Sequence, residues 1–131
     1  RETLQVLKTI NALQLSQYKP QSNAIYPDSE LGNGLRQIAQ LIKTDVGLEV
    51  ACLDRGGWDT HVAQGGNIGW MAMQLDDLAK SLRAFSRDLS QEWKRVTVLV
   101  MTEFGRRLYE NSGLGTDHGT GGAMMILGGK A

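Results

Sequence analysis

Apolar residues recur along the chain in two rhythms. Leu4, Leu7, Ile10 or Ala12, and Leu15 step at helical spacing and predict a helix over 2–15. A second stripe, Leu31, Leu35, Ile38, Leu41 and Ile42, runs to about Thr44. Asp28 or Ser29 can start it, because a side-chain oxygen there accepts from a free amide of the first turn. The longest stripe, Ile68, Met71, Leu75, Leu78, Leu82, Phe85 and Leu89, predicts a helix over about 68–92 with its methionine on the core face. The other rhythm is a short, mostly apolar run. Leu48–Leu53, Val96–Met101 and Ala123–Leu127 are such runs, bounded by glycine or charge, and each predicts a strand. Val96–Met101 is β-branched and apolar throughout, the composition of a central strand covered on both faces. Residues 16–28, with both prolines, read as a loop, and 54–67 and 103–122 as glycine-rich loops.

The order strand, helix, strand across 48–101 predicts a parallel βαβ unit with a right-handed crossover. The fold class expected is therefore α/β, with a single partial domain over 1–131: helical over 1–46, then the βαβ unit and site loops over 47–131. The third strand is expected as an antiparallel edge strand. The chain opens at Arg1 on a helical pattern and closes at Ala131 just after a strand, so a longer parent protein is expected. Open sheet edges invite pairing between chains, so self-association is expected as well.

Composition narrows the functional classes. With 131 residues, 41% of them hydrophobic, the chain fits one globular domain and not a disordered segment. Lys+Arg and Asp+Glu both number 14, so no bulk charge favours nucleic acid or anionic lipid. No apolar run reaches the roughly 20 residues of a membrane span. Cys52 is the sole cysteine, which excludes an internal disulfide; its mid-strand position predicts an inert buried thiol.

Candidate chemistry gathers in the glycine-rich loops, which leave the ends of the expected strands, where ligands of open α/β sheets bind. Gly56-Gly57-Trp58-Asp59-Thr60-His61 follows the first strand, and Thr102-Glu103-Phe104-Gly105-Arg106-Arg107 follows the second. Gly115-Thr116-Asp117-His118-Gly119 precedes the third. His118 reaches the other two loops only if the third strand runs antiparallel to the second. Converged, Asp59, His61, Glu103, Asp117 and His118 form a carboxylate–imidazole set suited to Zn, Mn or Fe. Arg106 is placed to grip a phosphate or sulfate group. The same residues also have structural readings: a capping Asp59, a Glu103–Arg106 ion pair, and a turn with a surface His118. Trp58 and Trp70 read as packing, and Tyr18, Tyr26 and Tyr109 take no role.

These three motifs, with Gln64 and Gly128-Gly129, resemble a bacterial family known as domain of unknown function 1501, over about residues 30–131. The resemblance implies kinship with the sulfatase and alkaline-phosphatase superfamily, and hence a fragment of that parallel-sheet sandwich with a metal site at the strand ends. It implies Asp59 and His61 as the first ligand pair, Glu103 in place of the aspartate after the central strand, and His118 as the last histidine. The pair is spaced D-x-H here rather than D-x-x-x-H, and Glu103-Phe104 stands where Asp-His is usual, which removes one imidazole. The nucleophile would lie upstream of Arg1, leaving no catalytic nucleophile in this stretch. The implied activity is metal-dependent hydrolysis of small phosphate or sulfate esters in the periplasm or cell envelope. The alternative is a non-catalytic envelope binding protein on a degenerate fold of the same kind.

Overall fold

The computed structural model describes residues 18–129, and the helix expected over 2–15 lies outside them. Two helices form the base: α1 (Glu30–Lys43) and α2 (Trp70–Asp88). Ser29 caps α1, its Oγ accepting from the Gly32 amide at 3.0 Å. The same hydroxyl donates to Asp77 Oδ1 at 2.7 Å and so ties the start of α1 to α2. Glu30 in the first turn and Lys43 in the last complement the helix dipole. At Gly32 the loop before the helix comes so close that a Cβ would lie 2.2 Å from the Pro27 carbonyl oxygen.

The core joins the two apolar stripes. Leu31, Leu35 and Ala39 of α1 pack on Phe85 and Leu89 at the end of α2. Trp93, in a single 3-10 turn (Trp93–Arg95), meets Phe85 edge-on with ring centroids 6.3 Å apart. α2 stops at Asp88, short of the expected end, and only the second half of its stripe is covered: Ile68 and Leu75 are exposed.

The strands are β1 (Thr97–Val100), β2 (Gly105–Arg106), β3 (His118–Gly119) and β4 (Met125–Gly128). β1 pairs antiparallel with β4 in the register Val98↔Leu127 and Leu99↔Ile126. β2 pairs antiparallel with β3, Arg106 opposite His118. Val96 and Val98 turn down onto the helical core. Leu99, on the opposite face of the ribbon, is 52% exposed. The protein is thus a mixed helix-and-strand fold whose sheets, among the described residues, are small and antiparallel.

Four expectations are corrected here. Leu48–Leu53 forms no strand. It has an apolar run but no hydrogen-bonded neighbour among the described residues, and a strand exists only as part of a ladder. It lines an open groove together with β1 and residues of both helices, and Val50 is 78% exposed. The described residues therefore show no parallel βαβ unit. β1 is in turn an edge of a two-stranded ribbon rather than a strand covered on both faces. Cys52, without a strand to bury it, is exposed.

One buried charge fastens the helices and the N-terminal loop together. Asp88 is fully buried. Its carboxylate accepts from Tyr18 Oη, Tyr26 Oη and the Gln21 amide, each at 2.8 Å, and from Lys43 Nζ at 2.5 Å. Burial pushes the Asp88 carboxyl upward, but these donors, Lys43 foremost, outweigh it and hold it below the ordinary carboxylate value. The same burial and the adjacent carboxylate push both tyrosine hydroxyls well above their ordinary range. We predict that Asp88→Asn lowers the urea unfolding free energy by about 3 kcal/mol, because Lys43 loses its counter-charge in a buried setting. The contribution of Asp88 is complete above the ordinary carboxyl pKa of about 3.9 and is lost as pH falls through the lower folded-state value. The acid limb of the stability profile should therefore be flatter in the variant than in the wild type.

Candidate metal centre

Because β4 runs antiparallel to β1, it starts at the end of the ribbon where β1 delivers residues 101–106. That return brings His118 beside Arg106 in the β2–β3 ladder, and Arg106 also bridges to Gly121. A third loop closes the site. Residues 60–64 run along 113–116, with Ala63 and Gln64 amides donating to Gly113 and Leu114 carbonyls at 2.9 Å. Gln64 Oε1 accepts from both threonines across this seam, Thr60 at 2.8 Å and Thr116 at 2.7 Å. The two backbones are so close at Gly115 that a Cβ would sit 2.3 Å from the His61 carbonyl carbon.

Three of the candidate residues meet in this seam. One ligand atom each from Asp59, His61 and His118 lies within 4.8 Å of the others. Asp59 Oδ1 is 3.0 Å from His61 Nε2 and 2.8 Å from His118 Nε2. The imidazole rings lie 4.9 Å apart. Phe104 stacks on His118 at 4.3 Å between ring centroids and fixes its plane. The hydrogen bond from His118, then the charges of His61 and Arg106, hold the Asp59 carboxyl below the ordinary range despite some desolvation.

The other three expected residues stand around this cluster. Asp117 lies behind His61, its Oδ1 3.0 Å from Nδ1. Its carboxyl is held low by Asn111 first and His61 second. Glu103 is exposed at the bend after β1 and lies outside the cluster. The bend presents Phe104, not Glu103, to His118. Arg106 faces inward: its guanidinium donates to the Thr116 carbonyl, to the Trp58 carbonyl at 2.5 Å and to Asp59 Oδ1 at 3.3 Å. Asn111, which hydrogen-bonds both to Asp117 and to the His61 carbonyl, escaped the sequence reading. Its one sequence cue is the Asn111-Ser112-Gly113 turn pattern.

The donor set fits a divalent ion. Two imidazole nitrogens and one carboxylate oxygen are ligands of open zinc sites and of the two-histidine, one-carboxylate iron sites. His61 adds a second argument, since each of its ring nitrogens faces a carboxylate at 3.0 Å. A neutral imidazole has one N–H and satisfies only one of them. A cation held by Nε2 and Asp59 would satisfy the other contact.

A mixed helix-and-strand domain with a carboxylate–histidine cluster on its loops is the class these features define. Over residues 7–131 the chain matches the family described as Protein of unknown function (DUF1501), and it belongs to that family. No curated protein and no solved structure matches it.

The loops depend on the Arg106 fork, which a lysine cannot reproduce. For Arg106→Lys we predict amide exchange at Thr60, Ala63, Gln64 and Thr116 faster by about tenfold, the scale of one lost charge-assisted hydrogen bond. The amides of α1 and α2 should exchange as in the wild type.

Proposed function

We propose that this protein is a metal-dependent hydrolase of small phosphate or sulfate esters. The observation that carries the metal is the convergence of Asp59 and His61, from one loop, with His118 of β3. The ester class rests on the resemblance to the sulfatase and alkaline-phosphatase superfamily, as do the sandwich fold of the whole protein and a periplasmic or envelope location. The ligand set proposed is Asp59, His61 and His118. Asp117 holds the far nitrogen of His61, and Arg106 fixes Asp59 and the two loop carbonyls. Two histidines and one carboxylate make one complete site, so the proposal is for a single Zn, Mn or Fe ion. Such an ion, when bound, supplies Lewis acidity to an ester oxygen and lowers the pKa of a coordinated water. Exposure of Asp59 and His118 leaves the cluster open to a small anionic substrate. No nucleophile is assigned among residues 18–129.

One observation favours a second reading, a non-catalytic envelope binding protein. Arg106 is engaged by main-chain carbonyls, and Glu103 stands apart from the cluster, so two groups expected at an ester site are otherwise placed. Elemental analysis of full-length protein purified without chelator separates the readings. We expect close to one equivalent of Zn, Mn or Fe in the wild type. We expect affinity to fall by more than about 100-fold in Asp59→Ala and in His118→Ala, beyond the loss caused by removing a ligand's hydrogen-bond partner. Hydrolysis of 4-nitrophenyl phosphate or sulfate should be lost with the metal. Metal-free wild type that takes up no added ion would overturn the hydrolase reading and leave the binding protein.

Self-association belongs to the same proposal. β1 toward the groove and β4 on its outer side have no strand partner among the described residues, and Leu99 and Ile126 form an apolar pair on the open face. Light scattering across a concentration series should show a mass that rises above the monomer; a constant monomer mass refutes it.

A further inference from the structure

Gln64 joins the two ligand-bearing segments side chain to side chain. Its Oε1 accepts from Thr60 Oγ1 at 2.8 Å and from Thr116 Oγ1 at 2.7 Å. An amide oxygen has two lone pairs, so both are used. Thr60 stands between Asp59 and His61, and Thr116 stands two residues before His118. Asp59 and His61 keep about half of their side chains accessible, while Thr60 between them is buried. Gln64 touches no candidate ligand atom, yet it grips each ligand segment from behind.

Gln64 is itself held from two sides. Its amide donates to the Leu114 carbonyl at 2.9 Å, and its carbonyl accepts from the Met71 amide at 3.1 Å. Met71 lies in the first turn of α2, where amides lack partners inside the helix. Gly69, the residue before α2, supplies no side-chain cap, so the Gln64 carbonyl takes over that task for Met71. The side chain therefore reaches the two threonines from a base fixed to a helix. Little else sets the spacing of the segments. The Val62↔Leu114 bridge and the Thr116 amide on the Thr60 carbonyl at 3.2 Å lie alongside it. A slip of Thr60 past Thr116 would carry Asp59 away from His118 Nε2, which now stands 2.8 Å from it.

We infer that Gln64 is a positioning residue for metal binding: by holding Thr60 and Thr116 on one oxygen it sets the spacing between the Asp59–His61 loop and His118. This rests on the metal reading proposed above, and its test separates the two. Gln64→Met keeps the length of the side chain and removes the acceptor, whereas Gln64→Glu keeps the acceptor. Thr60→Val with Thr116→Val removes both hydroxyls at nearly constant shape and leaves Gln64 in place. Three measurements are made on full-length wild type and these variants. They are the nuclear Overhauser contact between the His61 and His118 rings in metal-free protein, zinc affinity by competition with a chelator dye, and the urea midpoint. The rings lie 4.9 Å apart between centroids, within range of that contact.

In Gln64→Met the ring contact should be lost and zinc affinity should fall by about 10- to 100-fold, the scale for groups that hold ligands in place. The double valine variant should lose as much, and adding Gln64→Met to it should cost nothing further, because both changes remove one linkage. Gln64→Glu should keep the contact and the affinity. The urea midpoint should change little throughout. Wild-type contact and affinity in Gln64→Met would overturn the inference, as would a Gln64→Glu as impaired as Gln64→Met, or no ring contact in the wild type. If Gln64→Met does not fold, the double valine variant decides, and wild-type contact and affinity there overturn the inference. A wild type that shows the ring contact and loses it in Gln64→Met, yet binds no zinc, would uphold the positioning and refute the metal reading alone.

Discussion

The site depends on one guanidinium. Three loops meet there with little ladder pairing to hold them, and ordering each loop residue costs about 1–2 kcal/mol of backbone entropy. Arg106 meets part of that cost from a single position. Its backbone belongs to the β2–β3 ladder and to the Gly121 bridge. Its side chain crosses to the Trp58 and Thr116 carbonyls, one on each neighbouring loop, and reaches Asp59. Phe104 lies against the guanidinium and stacks on His118, so the ring that sets the histidine plane is itself held by the residue that anchors the loops. A fork of five donors suits this task, because carbonyls left without partners in a closing seam are costly.

The helices give this assembly a fixed base. The loop that carries Asp59 is tied to the first turns of α2: Trp70 Nε1 donates to the Gly57 carbonyl at 2.7 Å, and Gln74 Nε2 to the Gly56 carbonyl at 3.0 Å. Gln74 in turn accepts from Arg55 at 2.5 Å. The far end of α2 is locked through Asp88 to α1 and to Tyr18 and Tyr26. One helix thus carries a buried charge hub at its C-terminus and the site loop at its N-terminus, and the rigidity of the first serves the placement of the second.

Much of the local structure was legible because its causes are local. The Ser29 cap, the two apolar helical stripes, and the strands at 97–100 and 125–128 follow from residues within a few positions of one another. The 48–53 run shows the limit: its composition is that of a buried strand, but composition does not supply a neighbour. The expected antiparallel return of β4 was the condition for bringing His118 to the other loops, and it holds. The residues that were missed are hydrogen-bond hubs. Asp88 and Asn111 each collect partners from distant segments, Asp88 from as far back as Tyr18, and nothing in a one-dimensional pattern marks a carboxylate that two tyrosines, a lysine and an amide will converge on. Glu103 and Phe104 were told apart only by the bend after β1, which decides which of two adjacent side chains meets His118.

The charge arrangement also bears on the proposed reading. Asp59 and Asp117 both ionise below the ordinary carboxylate range, and two guanidiniums act on them, Arg106 on Asp59 by a hydrogen bond and Arg107 on Asp117 by its charge. Two ionised carboxylates beside two imidazoles are a donor set for a cation rather than a cradle for a phosphate or sulfate ester. Arg106 cannot reverse that, since two of its donors are spent on carbonyls. A divalent ion held by Asp59, His61 and His118 would supply the attractive partner that an anionic substrate needs here. The protein's own contribution would be to keep Asp59, His61 and His118 aimed at one point, with Arg106 bracing the loops around them.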